Sequence, residues 1–136
     1  MYLARVLLAI WLIGLLGVAA ELVLLEHYED ALQFLPFLAI AAGLAAGAWL
    51  AIRPGRAATH AFRVVVAVFL ISGLVGLVLH YRGNAEFERE RDPSIRGLAL
   101  IWESLTGATP ALAPGTMILF TFIGYAVLVS RREPPV

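Results

Sequence analysis

The chain is 136 residues long, 61% apolar and 15% charged, with ten basic residues, ten acidic ones and no cysteine. A soluble domain averages roughly 45–50% apolar and about 25% charged, and one this small buries only part of its surface. These figures exclude a disordered chain, a basic nucleic-acid binder, a disulfide scaffold and an ordinary soluble enzyme, leaving a single-domain, all-α integral membrane protein.

A bilayer core of about 30 Å takes roughly 20 apolar residues per helix. Four stretches qualify: 6–25, interrupted only by Glu21; 31–52, by Gln33 and Pro36; 61–81, with Arg63 near its start and His80 near its end; and 111–130, without charge. Arg63 extends the third span by snorkelling. Pro36 and Pro114 fall in first turns, where a missing N–H matters little. The expected architecture is four transmembrane helices as two hairpins, about 1–56 and 57–136. Each hairpin rises to a His-Tyr pair, His27-Tyr28 and His80-Tyr81, as an internal duplication would. Matching Gly14, Gly17 and Glu21 to Gly73, Gly76 and His80 needs a different offset, so the two registers conflict.

Orientation rests on arginine, since lysine is absent. Arg5, Arg53, Arg56, Arg63, Arg131 and Arg132 fall on one side, opposed there by Glu133 alone. The other side holds Arg82, Arg89, Arg91 and Arg96 among the remaining nine acids. The positive-inside rule predicts both termini in the cytoplasm of a bacterial-type cell, with an acidic outer face. Zero net charge is thus a cancellation across the membrane. Arg5, an apolar run and Val18-Ala19-Ala20 before Glu21 also resemble a secretory signal, whose cleavage would leave three spans. A retained first helix is the expected state.

Residues 82–93 form the one strongly polar segment, read as an outer loop with Gly83-Asn84 as its turn. Pro93-Ser94 then offers a helix start, and Ile95, Leu98, Ala99, Trp102 and Leu105 recur at helical spacing. The pattern predicts a short amphipathic helix over about 94–106, lying on the outer interface with Trp102 at headgroup depth. A re-entrant helix is the rival reading. Gly107, Pro110, Pro114 and Gly115 separate it from the last span. Small residues at Ala39, Gly43 and Gly47, at Gly14 and Gly17, and at Gly73 and Gly76 predict close helix contacts, inside a bundle or between copies.

Chemistry concentrates on the outer face. Glu21 sits about 6 Å below the end of the first span, where an ionised carboxylate wants water or a partner such as Arg82 or Arg96. Tyr28, seven residues on, is a candidate donor to it. His27 and His80 end two helices at similar height, and with Glu21 and Glu103, or with Glu26, they form a candidate site for a divalent transition metal or a proton. The bland alternative makes both His-Tyr pairs interfacial anchors. His60 reads as an anchor, and Glu86, Glu88, Glu90 and Asp92 as a solvated or docking loop, since they lack the spacing of an EF-hand. No nucleophile elbow, P-loop, zinc-protease helix or dinucleotide fingerprint occurs.

Small multidrug-resistance transporters are similar in carrying a first-span glutamate, and DoxX-like proteins in span count. The former are shorter and lack the outer helix, the latter have an early His-Gly pair absent here, and no residue roles carry over. The expected function is non-enzymatic and cofactor-free: an accessory or scaffold subunit packing in the bilayer against partner membrane proteins or its own copies. An outward-facing metal or proton site in a small transporter, sensor or electron-transfer component is the alternative.

Overall fold

The computed structural model describes residues 2–107 and 111–131. They form five helices and no strand: α1 (Tyr2–Leu24), α2 (Phe34–Ile52), α3 (Arg56–Arg91), α4 (Gly97–Thr106) and α5 (Gly115–Ser130). The first three are long and apolar enough to cross a membrane; α5 is apolar but only 16 residues long. Pro110, Arg132 and Glu133, used above for the last break and the charge balance, lie outside the described residues.

α2 starts later than expected because its approach is a turn built on Asp30. One Asp30 carboxylate oxygen accepts the backbone N–H groups of Leu32 and Gln33, at 2.8 and 3.1 Å. Pro36 then falls in the first helical turn, as predicted. α5 also starts late: 111–114 is a turn, and Pro114 occupies the N-cap.

The main correction concerns 82–93. The expected outer loop with a turn at Gly83-Asn84 is instead the last part of α3, a single helix of 36 residues, about 54 Å long. Its charges alternate in sequence, yet on a helix Arg82, Glu86 and Arg89 stack at three- and four-residue spacing, as do Glu88 and Arg91. Arg89 and Arg91 also complement the dipole in the last turn. The helix stops at Asp92, whose extended backbone (φ −136°) is what a following proline imposes.

α4 is shorter than the expected 94–106. Ser94 does not cap it but donates its N–H and hydroxyl to the Asp92 carboxylate, at 2.9 and 2.7 Å. The chain stays extended at Arg96 and enters the helix through Gly97, whose φ of +60° is open to glycine. α4 runs antiparallel to the end of α3: Gly97 and Leu100 lie beside Arg89, whereas Ser104 and Gly107 lie beside Asn84.

The other four helices form a ring in which α1 packs on α2, α2 on α3, α3 on α5 and α5 on α1; α4 packs on α3 alone. Helices on the diagonals keep their backbones apart, so side chains must fill the axis. Trp11 does so. Fully buried, it stacks on Phe69 (5.4 Å) and meets Phe62 (4.8 Å) and Phe120 (6.4 Å) edge-on. Its indole N–H donates to the Phe120 carbonyl at 2.8 Å, so no polar group is stranded in the apolar core. Gly43 and Gly124 make room for the ring: a Cβ on Gly43 would come within 2.8 Å of Phe69, and one on Gly124 within 2.5 Å of Val66. Gly14, Gly47, Gly73 and Gly76 likewise meet neighbouring helices, whereas Gly17 faces open space. Of the expected small-residue contacts, the internal ones account for all but Gly17.

Gly124→Ala should destabilise the bundle by about 1–3 kcal/mol through overpacking, and Trp11→Ala by about 3–5 kcal/mol through the cavity it leaves. Trp11→Phe, which removes the hydrogen bond and part of the ring volume, should cost less than Trp11→Ala, about 1–3 kcal/mol. Unfolding in mixed micelles, followed by circular dichroism, measures all three.

Candidate functional site

The ring has two chemically different ends. Arg5, Arg53, Arg56 and Arg131 lie at one, and His27 and His80 at the other. At the histidine end the sequence builds two local structures, a turn that ends α1 and a hairpin of α3 with α4.

The α1 turn is a Schellman motif. The His27 N–H donates to the Leu22 carbonyl (2.9 Å) and the Glu26 N–H to the Val23 carbonyl (3.1 Å). Glu26 takes the left-handed position, φ 52°, that glycine usually fills. A non-glycine residue there costs roughly 1–2 kcal/mol. The turn folds His27 back against the bundle, with its ring centre 6.3 Å from that of His80 and the planes tilted by 37°. Both rings are half-buried, and His80 has a further partner besides. The two positions are not equivalent, as a duplication would have them. His27 lies beyond the end of its helix, while His80 sits inside a continuous one.

Two of the four predicted site residues therefore come together, and two do not. Glu21 is exposed on the flank of α1 that faces α5, one heptad above Gly14, whose Cβ position meets Phe120. Tyr28 lies past the end of α1 and shares no helix face with Glu21. Glu103 is half-buried on α4, next to Ser104. Among the described residues, no group of three or more His, Cys, Asp or Glu side chains is arranged to hold a metal. His60 is exposed near the start of α3, at the arginine end.

The hairpin contains what the sequence reading missed. Among the described residues, Asn84, Glu88 and Ser104 are the buried polar side chains, at 4%, 3% and 0% exposure. The Asn84 amide donates to the Ser104 carbonyl (2.9 Å), and the Ser104 hydroxyl to the Leu100 carbonyl (2.6 Å). A Glu88 carboxylate oxygen lies 2.7 Å from an Arg91 guanidinium nitrogen. The oxygen accepts no well-aligned hydrogen bond, so charge rather than direction holds the pair. Once 82–91 is read as helix, the four-residue spacing of Asn84 and Glu88 beside Ala85 marks a buried face. The loop reading hid that signal.

Leu98, Ile101, Trp102 and Leu105 point outward from α4, away from the Leu100 and Ser104 face that packs on α3. The amphipathic pattern is thus present, but its polar Ser104 faces the protein and its apolar stripe does not. Beyond Tyr81, Asp92 closes the hairpin turn. The Ser94 hydroxyl first, then the Ser94 N–H, hold its carboxyl below the ordinary aspartate range, with Arg91 adding to the effect. The chain matches no protein family, no curated protein and no solved structure.

Arg91→Ala leaves the buried Glu88 carboxylate without its cation and should loosen α4 by about 1–3 kcal/mol, whereas Glu88→Gln should be milder. Hydrogen exchange across 97–106 reads both. Because the Asp92 pKa is lowered on folding, its contribution is present above the unfolded aspartate pKa and is lost as pH falls through the depressed value. Amide protection at Ser94 should therefore fall in acid, and Asp92→Asn should flatten that pH dependence.

Proposed function

We propose that the chain is a four-span integral membrane protein, both termini cytoplasmic, that serves as a non-catalytic accessory or scaffold subunit. It packs against partner membrane proteins or further copies of itself. The observation that carries this reading is the solid apolar interior. Trp11, Leu15, Leu50, Phe62, Phe69 and Val127 fill the ring at 0% exposure, and the buried polar side chains among the described residues all belong to the α3–α4 hairpin. A bundle without a polar axis offers no path for an ion or a polar substrate.

The dimensions support insertion. The uncharged stretch 64–79 of α3 is about 24 Å long and is extended at its start by snorkelling of Arg63, and 111–130, joining the 111–114 turn to α5, provides a fourth apolar stretch. Exposed aromatic residues mark both rims, Tyr2 and Trp49 towards the arginine end and Tyr28 and Trp102 towards the other. In this topology α4 stands at and above the outer headgroups, with Trp102 in the interfacial layer and the end of α3 rising beyond it. The outward faces of α1 (Ile10, Ile13, Leu16) and α3 (Ile71, Leu74, Val78) are then the surfaces left for lipid or a partner span.

With no native cysteine, single substitutions report sidedness directly. Gly55→Cys and Gly83→Cys both enter open space. In intact cells an impermeant maleimide should label position 83, and position 55 only after permeabilisation; the reverse pattern overturns the topology. Native mass spectrometry from nanodiscs should show a homo-oligomer or a stoichiometric complex. A monodisperse single copy with no bound protein counts against the scaffold reading.

A further inference from the structure

We propose that His27 and His80 form a two-imidazole site for a borderline divalent transition metal, copper(II) binding most tightly and zinc less so. This goes beyond the scaffold reading and does not depend on it. Three observations converge on the pair.

The first is distance. A metal about 2.0–2.1 Å from one nitrogen of each imidazole separates the ring centres by roughly 5 Å in tetrahedral geometry and roughly 6 Å with the rings trans. The observed separation of 6.3 Å matches the centre-to-centre spacing of a trans pair on copper(II) and exceeds that of a tetrahedral zinc pair by about 1 Å.

The second is how His27 gets there. The preceding residue, Glu26, is the one described non-glycine residue with positive φ, and its left-handed turn carries His27 back towards α3. The motif is an ordinary helix cap, and its contribution here is geometric: with Glu26 left-handed, its two hydrogen bonds fix the direction in which His27 leaves α1.

The third is access and ligand count. Both rings are half-buried at the end of the bundle, fixed enough to be pre-organised and open enough for an ion to enter. No third His, Cys, Asp or Glu among the described residues completes a closed cage, so an ion held by the pair keeps positions for other ligands, water among them. Such an open site differs from a structural zinc site, which closes four protein ligands around the ion. It also differs from the four-ligand set predicted above, since Glu21 and Glu103 are not members. Imidazole nitrogen with water suits copper, nickel and zinc over magnesium or calcium, and the Irving–Williams order puts copper(II) first.

The test uses the full chain without a polyhistidine tag, in nanodiscs, titrated with copper(II) and, separately, zinc. Calorimetry should give one ion per chain. The copper(II) electron paramagnetic resonance spectrum should show coupling to two imidazole nitrogens. His27→Asn and His80→Asn should each weaken binding at least tenfold, while His60→Asn changes it less than twofold. Glu26→Gly keeps the turn and removes the carboxylate next to His27 in sequence, so binding should survive it. Absence of saturable binding, one ion per two chains, or affinity unchanged in both histidine variants overturns the site. If either variant fails to fold, the nitrogen count in the unaltered protein decides: two supports the pair, none or one refutes it.

Discussion

The bundle depends on how one indole is seated. Four helices in a ring enclose an axis that none of their backbones reaches, so side chains must fill it. Trp11 supplies the volume from α1, lays its face on Phe69 and its edge on Phe62, and passes its one polar hydrogen to the Phe120 carbonyl. That carbonyl can accept because an oxygen has two lone pairs, and Gly124 keeps the approach clear. The contacts of Trp11 therefore join α1 to both α3 and α5, while Gly43 and Gly47 bring α2 against the same ring. Lost packing there would be felt by all four helices at once.

α3 ties this apolar body to the polar end of the molecule. Its lower turns carry Phe62, Val66 and Phe69 into the core, and its last turns carry Asn84 and Glu88 into the contact with α4. A continuous helix transmits orientation between the two without a hinge. Asn84 satisfies the Ser104 carbonyl near the C-terminus of α4, where helix carbonyls lack partners of their own. The hairpin is held by polar complementarity and the core by shape, on opposite ends of one rod.

The apolar architecture was legible in the sequence because span length and helical period are properties of long stretches. The glycine contacts, the early proline of α2 and the existence of α4 could be read for the same reason. The extent of α3 could not. Gly83-Asn84 carries a turn signal, and Arg82, Glu86, Glu88, Arg89 and Arg91 look like a solvated run until they are wound on a helix, where opposite charges meet. Tertiary contact with α4 then overrides the local preference of two residues. The candidate site was half legible. Equal height along two helices marks out His27 and His80, but whether the flank carrying Glu21 is covered depends on where α5 begins. That start is set by Pro114 lying against Gly73 and Gly76, a contact between distant parts of the chain.

The buried core is also unevenly placed. α1 contributes Ala4, Leu8, Trp11 and Leu15 to the interior, and beyond Leu15 its side chains are at most partly buried. α5 begins about 8 Å below His80, judged from its contacts at Gly73 and Gly76, so α1 loses one of its two neighbours over its final turns. The backbones of α1 and α3 do not touch along the ring, and His27 reaches α3 because a left-handed Glu26 folds it back. The histidine pair thus lies beyond the part of α1 that the core holds, and the hydrogen-bonded turn at Glu26, rather than core packing, fixes where His27 sits.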